Sequence, residues 1–321
     1  TGSGDEGAFC ASASGTLLHH PASSTFLDRY QRRVFAVSPA GEMKPLDVPL
    51  QDWTQPRLSP DGRSLLLRQA ANPDCVLWLH DLERATTTRL TFDVDAHGPI
   101  WHPSGERITF SSDDGEMIGV VEMDLAGAGE RPTLLVDRLS EAESWSTDGR
   151  WLVYLDWGGT DQSDLWLLDT ETGEQRELLA SRFTEGSAEI SPDGRWFAYT
   201  SDESGRDEIY VRSFPGAERR VQVSSEGGTA PVWAPDARRL YFQQGNGISA
   251  VAFDPDAGEP IGVSRPVFTS DLVSWVRDTP YDLLPDGSFV LIEGDRESDR
   301  PEEMTIVLDW ASDLDGAPST G

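Results

Sequence analysis

The chain has 321 residues, and 26 basic side chains stand against 56 acidic ones, for a formal charge of −30. This balance excludes a nucleic-acid partner, because phosphate binding needs a basic footprint, and it disfavours an anionic membrane surface for the same reason. Hydrophobic residues make up 37%, as expected of many short half-exposed strands rather than one thick core. No apolar run reaches the roughly 18 residues of a spanning helix, so no direct membrane insertion is expected of this segment.

In chain order, residues 1–7 open with Thr1-Gly2-Ser3-Gly4 and are expected to form a disordered tail or tag remnant. Residues 8–11 and 16–20 read as paired strands, and a polar excursion leads to strands at 33–37 and 44–48. A second set of four strands spans 55–58, 64–68, 76–81 and 87–91, a third spans about 98–136, and a fourth about 144–180. The fifth set shows the logic most clearly. Ala188-Glu189-Ile190 stops at Ser191-Pro192-Asp193-Gly194, where proline presets φ, aspartate bonds its own backbone and glycine takes a positive φ. Arg195-Trp196-Phe197-Ala198-Tyr199-Thr200 then reads as a strand, followed by strands at 208–212 and 219–224. A sixth set occupies 231–268, and the last offers 281–284, 289–293 and 304–310 with no fourth strand. Residues 313–321 are expected to be a disordered tail.

The turn recurs at Gly62, Gly105, Gly149, Gly194, Ala237 and Gly287, with a degenerate copy at Gly15, in steps of 47, 43, 44, 45, 43 and 50 residues. Four strands per period in the mid-forties is the signature of a β-propeller, because one such sheet cannot bury both faces without a copy on each side. Seven markers predict an all-β fold of seven four-stranded antiparallel blades in a single domain, residues 8–312. Six blades is the alternative, if the weak first repeat pairs with the last.

No nucleophile elbow, phosphate loop or metal-binding His-Glu-x-x-His run is present, so no catalytic residue, metal ligand or cofactor is assigned. Cys10 and Cys75 do not make a disulfide framework and read as free thiols, with a bond between them as the alternative. In a propeller the connections preceding each first strand gather at one mouth of the channel. Trp53, Asp95, His97, Glu141, Glu143, Glu185, Thr229, Arg277 and Asp278 fall there. They predict an acidic funnel for a cationic peptide, an amine or a metal. Trp101, Trp145 and Trp233 occupy the slot ahead of the turn, where blades pack face to face.

Pro99-Ile100-Trp101-His102-Pro103, Ser144-Trp145-Ser146-Thr147-Asp148-Gly149 and Pro231-Val232-Trp233-Ala234-Pro235 resemble the repeat of TolB-like propellers. The run from Glu185 to Phe268 resembles the propeller of bacterial eukaryote-like serine/threonine kinases. Its marks include Ser201-Asp202-Glu203-Ser204-Gly205-Arg206 and Ile209-Tyr210-Val211-Arg212-Ser213-Phe214-Pro215-Gly216. The resemblance implies a monomeric, non-catalytic sensor or interaction module for a protein or peptide partner, within a signalling or envelope protein in an extracytoplasmic setting. The competing expectation is a hydrolase or lyase, metal-assisted, using His97 with Asp95 and Glu143 in the funnel.

Overall fold

A computed structural model of the chain describes residues 9–11, 16–19, 32–70, 75–92, 94–113, 115, 117–127, 131–157, 163–269, 279–294 and 305–308. The tails expected at 1–7 and 313–321 lie outside the described residues, where all regular structure is β-strand. No helix among them is long and apolar enough to cross a membrane. The chain divides into two compact units, residues 32–293 and residues 1–31 with 294–321.

The strands begin with β1 (Phe9–Ala11), β2 (Thr16–His19), β3 (Arg32–Val37) and β4 (Met43–Pro45). Blade A is β5 (Trp53–Leu58), β6 (Ser64–Gln69), β7 (Val76–Asp81) and β8 (Thr86–Arg89). Blade B is β9 (Ala96–Trp101), β10 (Arg107–Asp113), β11 (Ile118–Asp124) and β12 (Thr133–Asp137). Blade C is β13 (Ser140–Trp145), β14 (Trp151–Asp156), β15 (Asp164–Asp169) and β16 (Gln175–Leu179). Blade D is β17 (Glu185–Ile190), β18 (Trp196–Ser201), β19 (Glu208–Ser213) and β20 (Arg220–Gln222). Blade E is β21 (Thr229–Trp233), β22 (Arg239–Gln244), β23 (Gly247–Asp254) and β24 (Glu259–Thr269). The chain continues with β25 (Tyr281–Leu283), β26 (Phe289–Gly294) and β27 (Thr305–Leu308).

The propeller has six blades, which corrects the seven read from the turn markers. Blade F is composite, in the order β25-β26-β3-β4. The outer strands of the first repeat complete the inner strands of the last, so two weak repeats are halves of one sheet. The hairpin β1–β2 pairs instead with β27 in a separate three-stranded sheet. The pairing of β26 with β3 in blade F closes the ring through backbone hydrogen bonds.

Six apolar clusters match the six blade interfaces. Val34, Trp53, Leu65, Leu67, Val290 and Ile292 join blades F and A. Leu66, Leu77, Ile108, Phe110 and Val121 join A and B, and Val120, Leu152 and Tyr154 join B and C. Phe197 and Tyr199 pack on Val153 and Leu167 between C and D. Phe242 and Phe253 pack on Trp196 between D and E. Tyr281 and Phe289 pack on Tyr241 between E and F. Each sheet thus buries both faces only against copies of itself, as the repeat demands.

The turns work as their chemistry predicts. Ser191 Oγ donates to Asp193 Oδ1 at 2.6 Å and accepts the Trp196 N–H at 3.0 Å, while Gly194 sits at φ +69°. The Ser59 turn repeats these contacts. His102 replaces the serine of blade B and bonds Ser104 Oγ through Nδ1 at 2.9 Å. Burial, then the charge of Arg107, push its imidazole down to about 4. His102 therefore fills a turn position as a neutral ring.

Each of β5, β9, β13, β17 and β21 is interrupted by a register shift where it pairs with its second strand. Gln55, Gly98, Ser187 and Ala230 take φ between +50° and +53° at these bulges. A bulge re-aims the side chains beyond it, and here it turns them to the axis.

Gly258 and Gly173 test how closely the blades approach. Both have positive φ, +67° and +76°, but a Cβ on Gly258 would overlap the Trp196 ring of blade D, whereas Gly173 faces open space. Gly173→Ala is expected to cost only the left-handed strain, about 1 kcal/mol. Gly258→Ala is expected to cost at least about 2 kcal/mol more because the indole must move. Chemical denaturation of the two variants checks this, and equal losses would contradict the packing described.

Candidate functional site in the central channel

A cavity of about 500 Å³ runs along the propeller axis, lined from the inner strand of every blade. Arg57, Trp101, Glu143, Glu189, Val232 and Asp282 each represent one blade. It reaches Pro60, Pro103, Thr147, Pro192 and Pro235, the residues of the turns after the inner strands. The cavity therefore opens towards the turn face, at the end of the inner strands opposite to the connections that the sequence reading singled out.

Its walls are tied together by side chains that cross from one blade to the next. Glu143 Oε2 accepts the Ala188 N–H at 2.8 Å, and Ser144 Oγ accepts the Ile190 N–H at 3.0 Å. Glu189 Oε2 accepts the Trp233 N–H at 3.2 Å, and Asp282 Oδ2 accepts the Leu58 N–H at 2.7 Å. Gln55 Oε1 accepts the Gly98 N–H at 3.1 Å, and Tyr281 donates its hydroxyl to the Ala230 carbonyl at 2.8 Å. Arg57 Nη1 donates to the Thr279 carbonyl at 3.1 Å. Gly98 has a second function, since a Cβ there would overlap the Glu141 carboxylate.

These acids are enclosed by protein yet face the cavity. Burial, then the charge of Glu141, push Glu143 up to about 8. Burial, then Asp282, raise Glu189 well above the usual carboxylate range, and burial raises Asp282 as well. Arg57 opposes all three shifts without overcoming them. In the free protein Glu143 therefore holds its proton near neutral pH, and burial shifts Glu189 and Asp282 in the same direction.

The residues predicted from sequence scatter. Glu141 and Glu143 line the cavity. Trp53 is buried at 1% exposure, edge-on to Trp78, with its Nε1 donating to the Pro49 carbonyl. Asp52, beside it, pairs with Arg32 at 3.2 Å. Asp95 and His97 pair with each other at 3.0 Å and group with Cys75, a free thiol. Glu185 is buried, accepts the Ser181 hydroxyl at 2.7 Å and is pushed up to about 7, chiefly by burial. Thr229 sits opposite Gln243 in the blade E ladder. Arg277 and Asp278 lie outside the described residues.

Sequence reasoning missed Arg57, Glu189 and Asp282. A signal for them existed. Arg57, Ile100, Ser144, Glu189, Val232 and Asp282 all stand five residues before their turn glycine, or before Ala237 in blade E. Aligning on the turn rather than on the strand start collects the wall. Trp101 and Trp145, read as packing residues, also edge the cavity, and their Nε1 atoms bond the Arg57 carbonyl and Thr109 Oγ1.

No protein-family model matches the chain. Atu1656 of Agrobacterium fabrum (strain C58), described as an uncharacterized protein, is 29% identical over 239 residues, covering 71% of this chain and 76% of that protein. YuxL of Bacillus subtilis (strain 168), described as an uncharacterized peptidase, is 28% identical over 166 residues. That match covers 49% of this chain and 24% of YuxL, so the chain spans only part of that relative. Among solved structures, a protein assigned as TolB from Agrobacterium tumefaciens superposes with TM-score 0.68 at 18% identity, covering 83% of this chain and 98% of that one. TolB from Acinetobacter baumannii gives 0.56 at 16%, covering 81% and 80%. An oligogalacturonate lyase in complex with manganese gives 0.55 at 15%, covering 84% and 97%. At these identities the likeness is one of fold, and the fold is a TolB-like β-propeller.

The raised Glu143 makes stability depend on pH in a definite direction. Its native value of about 8 lies above the ordinary 4.5, so its proton stabilises the native state fully below about pH 4.5 and that contribution is lost as pH rises through about 8. Glu143→Gln keeps an oxygen for the Ala188 N–H and removes the titration. Between about pH 5 and about pH 8.5 the wild type is expected to lose about 2 kcal/mol relative to the variant, less than full burial would give because the carboxyl is open to the cavity. Denaturant unfolding at both pH values checks it. Parallel profiles would contradict the assignment.

Proposed function

We propose that the TolB-like propeller is a ligand-binding module whose central channel takes the basic group of a peptide or amine from the turn face. The observation that carries this reading is the set of Glu141, Glu143, Glu189 and Asp282 around a cavity of about 500 Å³ in which Arg57 is the one basic side chain among the described residues. A cavity of that size suits a small molecule or a short peptide segment. An entering cation favours the ionised forms of these recessed acids, and low-dielectric walls focus the field that results, while Trp101 and Trp145 offer ring faces and edges to its apolar stem. Arg57, with its planar fork, would receive a ligand carboxylate.

In the described lining the acid–base groups beside Ser144 and Ser187 are carboxyls, and Glu143 is already engaged by the Ala188 N–H, which favours binding over covalent chemistry. In this reading the chain serves as the recognition module of a longer bacterial signalling or envelope protein, as its resemblance to kinase-linked propellers suggests. The second reading, a hydrolase or lyase, draws support from the relative described as a peptidase and the neighbour described as a lyase. Its expected residues are divided, with Glu143 in the channel wall and His97 and Asp95 grouped with Cys75.

Calorimetric titration with a short arginine-containing peptide, at about 20 mM and about 200 mM salt, tests the proposal. Affinity is expected to fall with salt because screening shortens the field to roughly 7–20 Å over that range. Glu141→Gln/Glu143→Gln should weaken binding about tenfold, about 1.4 kcal/mol, and an acidic peptide of equal length should not bind. Equal affinities for wild type and variant would show that the wall acids only join the blades.

A further inference from the structure

Apart from the cavity lining, the start of β9 in blade B meets the start of β7 in blade A. Asp95 Oδ1 accepts the Cys75 N–H at 2.8 Å and lies 3.0 Å from His97 Nε2. Ligand atoms of Cys75, Asp95 and His97 all lie within 4.8 Å of one another. From β6, Arg68 Nη2 donates to Cys75 Sγ at 3.1 Å. Cys75 is 9% exposed, while the side chains of His97 and Asp95 are 35% and 27% exposed.

We propose that Cys75 is a modification site, a thiolate held by Arg68 and His97, with Asp95 orienting His97, that reacts with small hydroperoxides. Arg68 from blade A donates to the sulfur and His97 from blade B lies within 4.8 Å of it, so two groups that carry positive charge face it when it is anionic. Arg68 decides against a metal ion, because a guanidinium on the sulfur repels an incoming cation. The low exposure of the sulfur decides the substrate class, since a hydroperoxide reaches such an atom and a folded partner or peptide backbone does not.

The electrostatics agree with the geometry. Burial pushes the Cys75 thiol up, but the His97 hydrogen bond and the charge of Arg68 outweigh it, and the net direction is down. His97 is raised by its hydrogen bond to Cys75 and by Asp95, against burial and Arg68. Among the described residues, Asp52, which interacts with Arg68 from β5's entrance, is a further carboxylate near this group. In the reaction, the thiolate sulfur attacks the terminal peroxide oxygen, and an S–O bond forms as the O–O bond breaks. The departing hydroxide or alkoxide takes the proton of the His97 imidazolium. Cys75 becomes a sulfenic acid, oxidised by two electrons, and the peroxide is reduced to water or an alcohol.

The full chain is alkylated with iodoacetamide from about pH 5 to about pH 9, native and in urea, and the Cys75 peptide is followed by mass spectrometry with Cys10 read on its own peptide. The native midpoint is expected below that of the unfolded chain, whose ordinary thiol titrates near about 8.5. Native alkylation at about pH 6 should be faster than in urea, because the gain in thiolate outweighs its lower intrinsic nucleophilicity. Hydrogen peroxide should give a dimedone-trapped sulfenic acid at Cys75. His97→Gln and Arg68→Met, checked for folding by circular dichroism, should move the midpoint up. A native midpoint equal to the unfolded one, or no dimedone adduct, overturns the proposal. So does zinc retained one-to-one by the wild type and lost in Cys75→Ser, which would make the group a metal site.

Discussion

An inner strand of a propeller has a neighbour on one side only, and its axis-facing amides have no further strand to pair with. Leaving such groups unpaired inside protein costs about 1–3 kcal/mol each. This chain meets the constraint with side chains that reach across to the next blade: Glu143 to Ala188, Glu189 to Trp233, Asp282 to Leu58 and Gln55 to Gly98. The same carboxyls that join the blades therefore become the channel wall. Burial then raises their proton affinity.

The six-fold ring follows from the same logic of pairing. Propeller architecture was legible in the sequence because turn chemistry, strand composition and period agree at Ser59, Ser146 and Ser191 without reference to one another. Blade number was not, because turn markers count beginnings of sheets and not their partners. Gly287 opens a sheet whose outer half is supplied by residues 32–45, and nothing local in either segment encodes that pairing. The Gly15 marker stands between β1 and β2, a genuine hairpin whose third strand is β27.

At the site, the difficulty was register. Counting from strand starts places Trp53, Asp95 and Glu185 at a mouth, but the bulges at Gln55, Gly98 and Ser187 reset which side chains face the axis. Beyond each bulge the turn fixes the phase, which is why Arg57, Glu189 and Asp282 align when counted back from it. Glu141 and Glu143 emerged from either count because β13 contributes several successive residues to the cavity. The grouping of Cys75 with His97 had no sequence signal. The two lie on different blades, and their contact depends on how β7 and β9 start side by side.

A protonated Glu143 beside Arg57, among the described residues of the wall, gives the channel a chemical character that a ring of ionised carboxylates would lack. An entering cation favours the ionised form of Glu143, so binding and proton release must be linked. Calorimetry of one arginine-containing peptide at pH 7, in two buffers of different ionisation enthalpy, measures that linkage directly. The account predicts that about one proton is released per peptide bound, and that none is released by Glu143→Gln. Binding with no proton release in the wild type would mean that the ligand does not meet the wall acids, and would contradict the channel as its site.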